Sequence, residues 1–485
     1  LPSPREENTE LLIDQLPATA PGGFATVEAF PNLTELTGFH VDFREVPGTN
    51  QMALVTVQGL IFTFPKDSAA TNDDVSVALD LTGVVCTADE AGLLSMAFDI
   101  DYTETGEVYI CYIHDAGDGN CKSNVTPGSK WRLSRFTVDD PLATPLVINP
   151  GSEELLLEIF QSTNIHKGGM VFFGEDDMLY ATVGESGLQN KAQDTRDLRG
   201  SVLRLDVNSP PDPGLSYKIP EDNPFYDEGP AGIFTRAEIF AYGLRNPWRA
   251  SSDPLSGRIL VADVGGDKYE EINLIESGKN YGWPIAEGFG CQIAGCDPSP
   301  YEPPIGGYQQ QPGNEAIIGG YVYHGSDFPE LFGTYLFADI DGDLYGITFD
   351  NDGNPTQTSL GNLGRATVGF GYDLDGEVYA LRAFVAVSDA TPTVLRPSTP
   401  STSTFPTRLS ELPALKATGE GNGHQVAGVF PYEPNSILWS DGTIKERYVA
   451  LPELEQIGFR EDTGWDFPEE TIIVKNFSLP LDERD

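Results

Sequence analysis

Residues 176–183 read DDMLYATV: two acidic residues that turn the chain, then a run of apolar, aromatic and β-branched residues too short for a helix. The same grammar recurs. GEVYICYI begins at Gly106, GRILVADV at Gly257, GTYLFADI at Gly333 and DGEVYALR at Asp375. Each joins a Gly/Asp turn to a strand, which is hairpin chemistry. The central residues Tyr109, Tyr180, Leu260 and Tyr335 are spaced by 71, 80 and 75 residues. An earlier run, QMALVTVQGLIFTF at 51–64, predicts a further unit with a hairpin turn at Val57–Gly59. Units of this length hold about four strands and one long insertion, as propeller blades do. Helical periodicity is scarce. The expected fold is an all-β propeller, ahead of a two-sheet sandwich or barrel.

Composition narrows the function classes. A chain of 485 residues can hold two or three average domains, or one large all-β domain and little more. There are 29 Lys and Arg against 74 Asp and Glu, a formal charge of −45. Such a surface repels phosphate backbones and anionic headgroups, so neither nucleic acid nor a membrane surface is an expected partner. No stretch approaches the roughly 20 apolar residues of a membrane span. The start, LPSPREENTELL, has no basic segment followed by an apolar one, so a signal peptide is expected to have been removed or never to have been present. Near residue 388 the sequence turns to Ser, Thr and Pro, unable to build a core. The expected organisation is an N-terminal extension at 1–22, a propeller at 23–387, a linker at 388–408 and a small β module, or part of one, at 409–485.

Cys291 and Cys296 stand in GCQIAGC, where a short disulfide is expected and a zinc site is not, because no His or second Cys pair lies near. Cys111 could pair with Cys121 across a hairpin, leaving Cys86 odd. Sequons at Asn32, Asn124 and Asn476 are candidate glycosylation sites and agree with secretion. Asp339–Asp343 and Asp373–Gly376 are dense in carboxylates but do not follow the EF-hand frame, and read as hairpin turns.

Four segments carry candidate chemistry: HKGGMVFFGEDDMLYATVGESG from His166, LRGSVLRLDV from Leu198, EIFAYGLRNPWRASSDPLSGRILVADVGGDKYEEINLI from Glu238, and GKNYGWPIAEG from Gly278. Singly, each has a plain structural reading. His166 can cap a turn, Arg245 can stack on Trp248, Gly265–Gly266 can form a hairpin, and Glu270–Glu271 can be a solvated pair. Taken in order, they resemble the soluble glucose/sorbosone dehydrogenases that use pyrroloquinoline quinone, together with the aldose dehydrogenases and the Hedgehog-interacting-protein-like relatives. AGLLSMAFDIDYTETGEVYICY at 91–112 and AIIGGYVYHGSDFPELFGTYLFADI at 316–340 extend the resemblance over roughly 23–383.

The resemblance implies a six-bladed propeller. It also implies oxidation of an aldose or related sugar, with hydride passing to the quinone PQQ and His166 taking the hydroxyl proton as general base. The carbonyls of Gly265 and Gly266 match positions that hold Ca²⁺ against the quinone. Glu271 and Tyr281 match those of a nearby structural Ca²⁺. Arg245 and Asn246 fall where the family contacts cofactor, and Glu90 where a Gln often stands. The family also pairs the quinone's three carboxylates with cations. Here Ile340 occupies one such place, Arg365 lies near another, and Lys167 is the candidate replacement charge.

The C-terminal piece resembles, more loosely, a module that follows such propellers in some bacterial proteins with c-type haem. No Cys-x-x-Cys-His occurs, so any electron acceptor would be external. Two function classes stay open: a secreted sugar dehydrogenase, or a catalytically decayed propeller serving as an extracellular carbohydrate-binding, protein-binding or structural module. The linker and C-terminal module would then support an extracellular assembly.

Overall fold

The computed structural model describes residues 24–115, 129–227, 235–310 and 316–382, apart from 35, 37, 351 and 364–366, and strands at 393–397, 429–431, 444–450, 458–460, 464–466 and 472–478. The chain divides into two compact units, residues 23–398, and residues 1–22 with 399–485.

The larger unit is an all-β propeller. Six inner strands follow one another round a ring: His40–Glu45, Leu93–Phe98, Gly168–Phe173, Pro247–Ser252, Ile317–Val322 and Thr367–Tyr372. Four of them open four-stranded antiparallel sheets that continue outward in sequence order. In the sheet opened by Gly168–Phe173, for example, Leu179–Val183, Ser201–Leu205 and Ile239–Tyr242 follow. The other two inner strands belong to one eight-stranded sheet. Its halves meet where Phe43 and Arg44 pair in parallel with Gly371 and Tyr372. The expected six separate blades are thus five sheets, because two four-stranded units are bonded through their inner strands.

Each motif that recurs in the sequence is the second strand of its unit: Glu107–His114, Leu179–Val183, Ile259–Asp263, Tyr335–Asp339 and Val378–Arg382. These strands read as continuous apolar runs because both faces are covered by neighbouring sheets. On Glu107–His114, Tyr109, Cys111 and Ile113 enter one core cluster, while Val108, Ile110 and Tyr112 enter another. The turn expected at Val57–Gly59 joins Gln51–Thr56 to Leu60–Pro65. The acidic turns at 339–343 and 373–376 are hairpin connections as well.

The outermost strand of the last unit is Phe24–Glu28, paired with Thr393–Pro397, which pairs in turn with Val378–Arg382. The first described strand therefore joins the last unit, and a stretch expected as linker supplies its partner. In the smaller unit, Ile444–Ala450 lies between Val429–Pro431 and Ile472–Ser478, and Gly458–Arg460 pairs with Gly464–Asp466.

Cys291 and Cys296 are bridged, with Cα atoms 5.7 Å apart. The proposed Cys111–Cys121 pair does not form: Cys111 is a free, buried thiol, and Cys86 is the disulfide-bonded one. Both side chains are completely buried in one core cluster, so burial does not tell them apart. Cys111 lies within Glu107–His114, packed among apolar side chains, whereas Cys86 lies outside any named strand, next to the Val85–His114 bridge. Asn32 is exposed, Asn476 lies within Ile472–Ser478, and Asn124, Cys121 and Arg365 lie outside the described residues. Among the described residues no helix is long and apolar enough to cross a membrane.

Candidate active site at one mouth of the channel

Antiparallel pairing sets the end of each second strand beside the start of its inner strand. Gly168 pairs with Val183, so the turn His166–Lys167 lies along Gly184–Glu185–Ser186. Pro247 pairs with Asp263, so Arg245–Asn246 lies along the segment leading to Gly265–Gly266. Every inner strand carries a register shift against its second strand. Bulges of this kind re-aim side chains near sites.

His166 has φ of +56°, a left-handed conformation unusual for a residue with a side chain. Three contacts hold it there. Its N–H donates to Glu90 Oε2 at 2.7 Å, its carbonyl accepts from Ser186 N at 3.1 Å, and its ring Nδ1 bonds the Glu185 carboxylate. Gly184 is required beside it, since a Cβ there would lie 2.2 Å from the His166 carbonyl oxygen. The Glu185 side chain is completely buried, and a carboxylate in this position accepts a hydrogen bond from Nδ1, which directs Nε2 outward. Nε2 is not buried, and no described residue bonds it. A carboxylate that fixes a histidine tautomer and leaves the other nitrogen free is the arrangement of a general base.

Glu90 Oε2 also accepts from Asn246 Nδ2 at 3.0 Å, and Asn246 Oδ1 accepts from Gly168 N at 3.0 Å. Glu90, His166 and Asn246 are thereby brought together from three units. Arg245 joins them: its carbonyl accepts from Glu185 N, and its guanidinium packs over Trp283 at 5.4 Å while donating to Val264 O.

Lys167 is placed differently from its expected role as a replacement charge. It is fully buried, and its Nζ donates to Gln161 Oε1 at 3.0 Å and to Thr163 O. Burial pushes its ammonium down to about 7. The adjoining residue faces the protein because His166 takes the exposed side. Ile340 is tied through its N–H to Ala316 O and supplies no charge.

Gly265 and Gly266 lie where a side chain would not fit. A Cβ on Gly265 would meet Tyr269 O at 1.8 Å, and one on Gly266 would meet the Trp283 ring at 2.6 Å. Glu270 accepts from Gly265 N, and one oxygen of Glu287 accepts from Gly266 N and the next three N–H groups. Neither glycine carbonyl accepts a hydrogen bond from a described residue. Behind this turn stand four buried carboxylates, on Asp263, Glu270, Glu271 and Glu287. Burial pushes Asp263 up to about 7, and burial with the Asp263 charge pushes Glu271 up to about 8.

Glu287 Oε2 and Asn273 Oδ1 are buried without a partner. Free carbonyls and orphaned acceptors are oxygen ligands of the kind Ca²⁺ takes, but no three of these carboxylates converge on one point; among the described residues only Glu45, Asp373 and Asp375 do. The Tyr281 hydroxyl donates instead to Leu274 O at 2.6 Å and accepts from Glu276 N, so it is committed to backbone. Sequence reasoning missed Glu185, Asp263, Asn273 and Glu287. Asp263 and Asn273 come there by strand pairing, Glu185 and Glu287 by side-chain hydrogen bonds.

The mouth of a propeller channel, carrying a histidine–carboxylate pair and buried carboxylates behind a glycine turn, defines the class as a propeller with an enzyme-like site. The family description Glucose / Sorbosone dehydrogenase matches residues 50–382, and the chain belongs to that family. It is 32% identical over 320 residues to the HIPL2 protein of Arabidopsis thaliana, covering 55% of this chain and 45% of that one. It is 30% identical over 257 residues to the aldose sugar dehydrogenase YliI of Escherichia coli, covering 52% and 63%. The chain thus spans about half the length of the curated relatives it matches. The PQQ-bound structure of aldose sugar dehydrogenase from Streptomyces coelicolor shares the fold, with a TM-score of 0.56 at 21% identity over 78% of this chain and 99% of that one.

Proposed function

We propose that the chain is a secreted, PQQ-dependent dehydrogenase that oxidises an aldose or related sugar, with His166 as general base. The observation that carries this reading is the free Nε2 of a histidine whose other nitrogen is fixed by a buried carboxylate. In this reading His166 accepts the proton of the sugar hydroxyl, and Glu185 keeps its tautomer and steadies the imidazolium that forms. Arg245 and Asn246 present donors toward the cofactor, and the quinone, when bound, accepts the hydride. The Gly265 and Gly266 carbonyls, with Glu271 behind them, would supply oxygen ligands to Ca²⁺, which would stabilise negative charge developing on the cofactor. An external acceptor takes the electrons. The eight-stranded sheet is read here as two blades, giving six.

Glu90 and Lys167 favour the second reading. A carboxylate replaces an amide beside the cofactor position, and Lys167 is buried away from it, leaving Arg245 as the described counter-charge among the residues expected there. A tri-anion is then weakly paired, and the propeller would act as a binding module. An absorbance titration of the chain with PQQ and Ca²⁺, followed by addition of aldoses, decides between them. A saturable cofactor spectrum bleached by sugar supports the enzyme. An unchanged free-cofactor spectrum supports the module.

A further inference from the structure

The inner strands have two ends, and the candidate active site uses only one. At the other end lies a cavity of about 580 Å³. One residue from each inner strand illustrates its wall: Arg44, Phe98, Phe172, Ser252, Tyr321 and Tyr372. Each stands at the C-terminal end of its strand, whereas His166, Arg245 and Asn246 precede N-terminal ends. Six residues at about 3.3 Å each put the two mouths roughly 15–20 Å apart. None of the residues assigned to the first mouth lines this cavity.

The chemistry of the wall is selective. Ser251 Oγ, Ser252 Oγ, Tyr321 OH and His324 Nδ1 are buried without a hydrogen-bond partner, and all four residues line the cavity. Ser251 and Tyr321 are more than nine-tenths buried. Native interiors rarely leave such groups unpaired unless a ligand or water meets them. Three are hydroxyls, each able to donate and accept, and the fourth is an imidazole nitrogen. The Tyr321 and Tyr372 rings stand 4.7 Å apart beside Phe172 and offer flat apolar faces.

Charge excludes other occupants. Arg44, which lines the cavity, is already paired with Asp42 at 3.1 Å, and Arg249, the other guanidinium near Tyr321, is not among the lining residues. Exposed Glu175, Asp177 and Asp375 at the rim repel an anion. An organic cation would face the Arg44 guanidinium, and an apolar ligand would leave the hydroxyls unpaired. The volume lies within the range of small-molecule pockets.

We propose that this second mouth binds a neutral polyhydroxylated molecule, a mono- or disaccharide or a sugar alcohol. Its hydroxyls exchange hydrogen bonds with Ser252, Tyr321 and His324, and its C–H faces lie on the tyrosine rings. The site is independent of the redox reading.

Calorimetric titration of the full chain with glucose, maltose and xylitol, in wild type, His166→Ala and Tyr321→Phe, tests this. Tyr321→Phe deletes only an unpaired buried hydroxyl, so without sugar its melting temperature should equal or exceed that of wild type. The expected result is saturable sugar binding that His166→Ala leaves intact and Tyr321→Phe weakens roughly tenfold, the loss of one buried hydrogen bond. Three results would overturn the proposal: no saturable binding of any of the three probes, binding lost in His166→Ala yet unchanged in Tyr321→Phe, or tighter binding of tetramethylammonium or inorganic phosphate used as controls.

Discussion

At the scale of single residues, His166 combines a left-handed backbone with a ring anchored at both its amide and its Nδ1. Strain of this kind persists only where surrounding contacts over-determine it. Glu185→Gln keeps the size of the partner and removes its charge. If Glu185 fixes the tautomer, kcat for sugar oxidation should fall by about 10²–10⁴ with KM little changed, as steady-state kinetics would show. Lys167 belongs to the support behind the site. Lys167→Met leaves Gln161 Oε1 and Thr163 O without their donor and should destabilise the chain by about 1–3 kcal/mol in urea unfolding. His166 was legible in the sequence because it sits against Gly168–Gly169. Glu185 was not, since one acidic residue in a turn has no local mark that it will be buried against a histidine 19 positions earlier. Lys167 was misread for a related reason: adjacent residues on a turn face opposite ways, and sequence alone does not say which faces the ligand.

At the scale of elements, the strand pair Ile259–Asp263 and Tyr269–Ile275 sets Asp263 directly opposite Glu271. Both are buried, and the charge on one raises the other. The sign of the resulting pH dependence follows from the direction of these shifts. A carboxyl whose pKa is higher when folded binds protons in the folded state that the unfolded chain has released, so stability falls as pH rises from about 4 to about 8. A cation bound between the carboxylates reverses this. The melting temperature without Ca²⁺ should therefore drop across that window, and added Ca²⁺ should raise it far more near pH 8 than near pH 5. An equal gain at both would place the cation elsewhere. The second strands were visible in the sequence because both faces are apolar. The inner strands were harder to see, because glycines, bulges and polar residues at the channel break their pattern, as in Gly168–Gly169 and Gly319–Gly320. Asp263 and Glu287 carry no local mark in the sequence, because Asp263 meets Glu271 only through strand pairing and Glu287 reaches the turn only through its side-chain hydrogen bonds.

At the scale of the whole molecule, the larger unit is closed by a strand from the start of the described chain on a strand near its end. Removal of residues 1–28 would strip Phe24–Glu28 from Thr393–Pro397 and bare an edge. The truncated chain should melt several degrees lower and aggregate on heating, as light scattering would record, with the first-mouth chemistry still measurable at low temperature. The propeller itself was legible from repeat spacing and resemblance. The bonding of two units into one eight-stranded sheet was not, because it rests on the two residue pairs that link Phe43 and Arg44 to Gly371 and Tyr372. The central claim is that His166 at one channel mouth accepts the substrate proton. The most direct measurement is dye-coupled aldose oxidation by wild type and His166→Ala, both loaded with PQQ and Ca²⁺, with cofactor occupancy read by absorbance in the same samples. The account predicts equal occupancy and a fall in turnover of at least 10² in the variant. Equal turnover at equal occupancy, or full occupancy of wild type with no oxidation of any aldose, would contradict it.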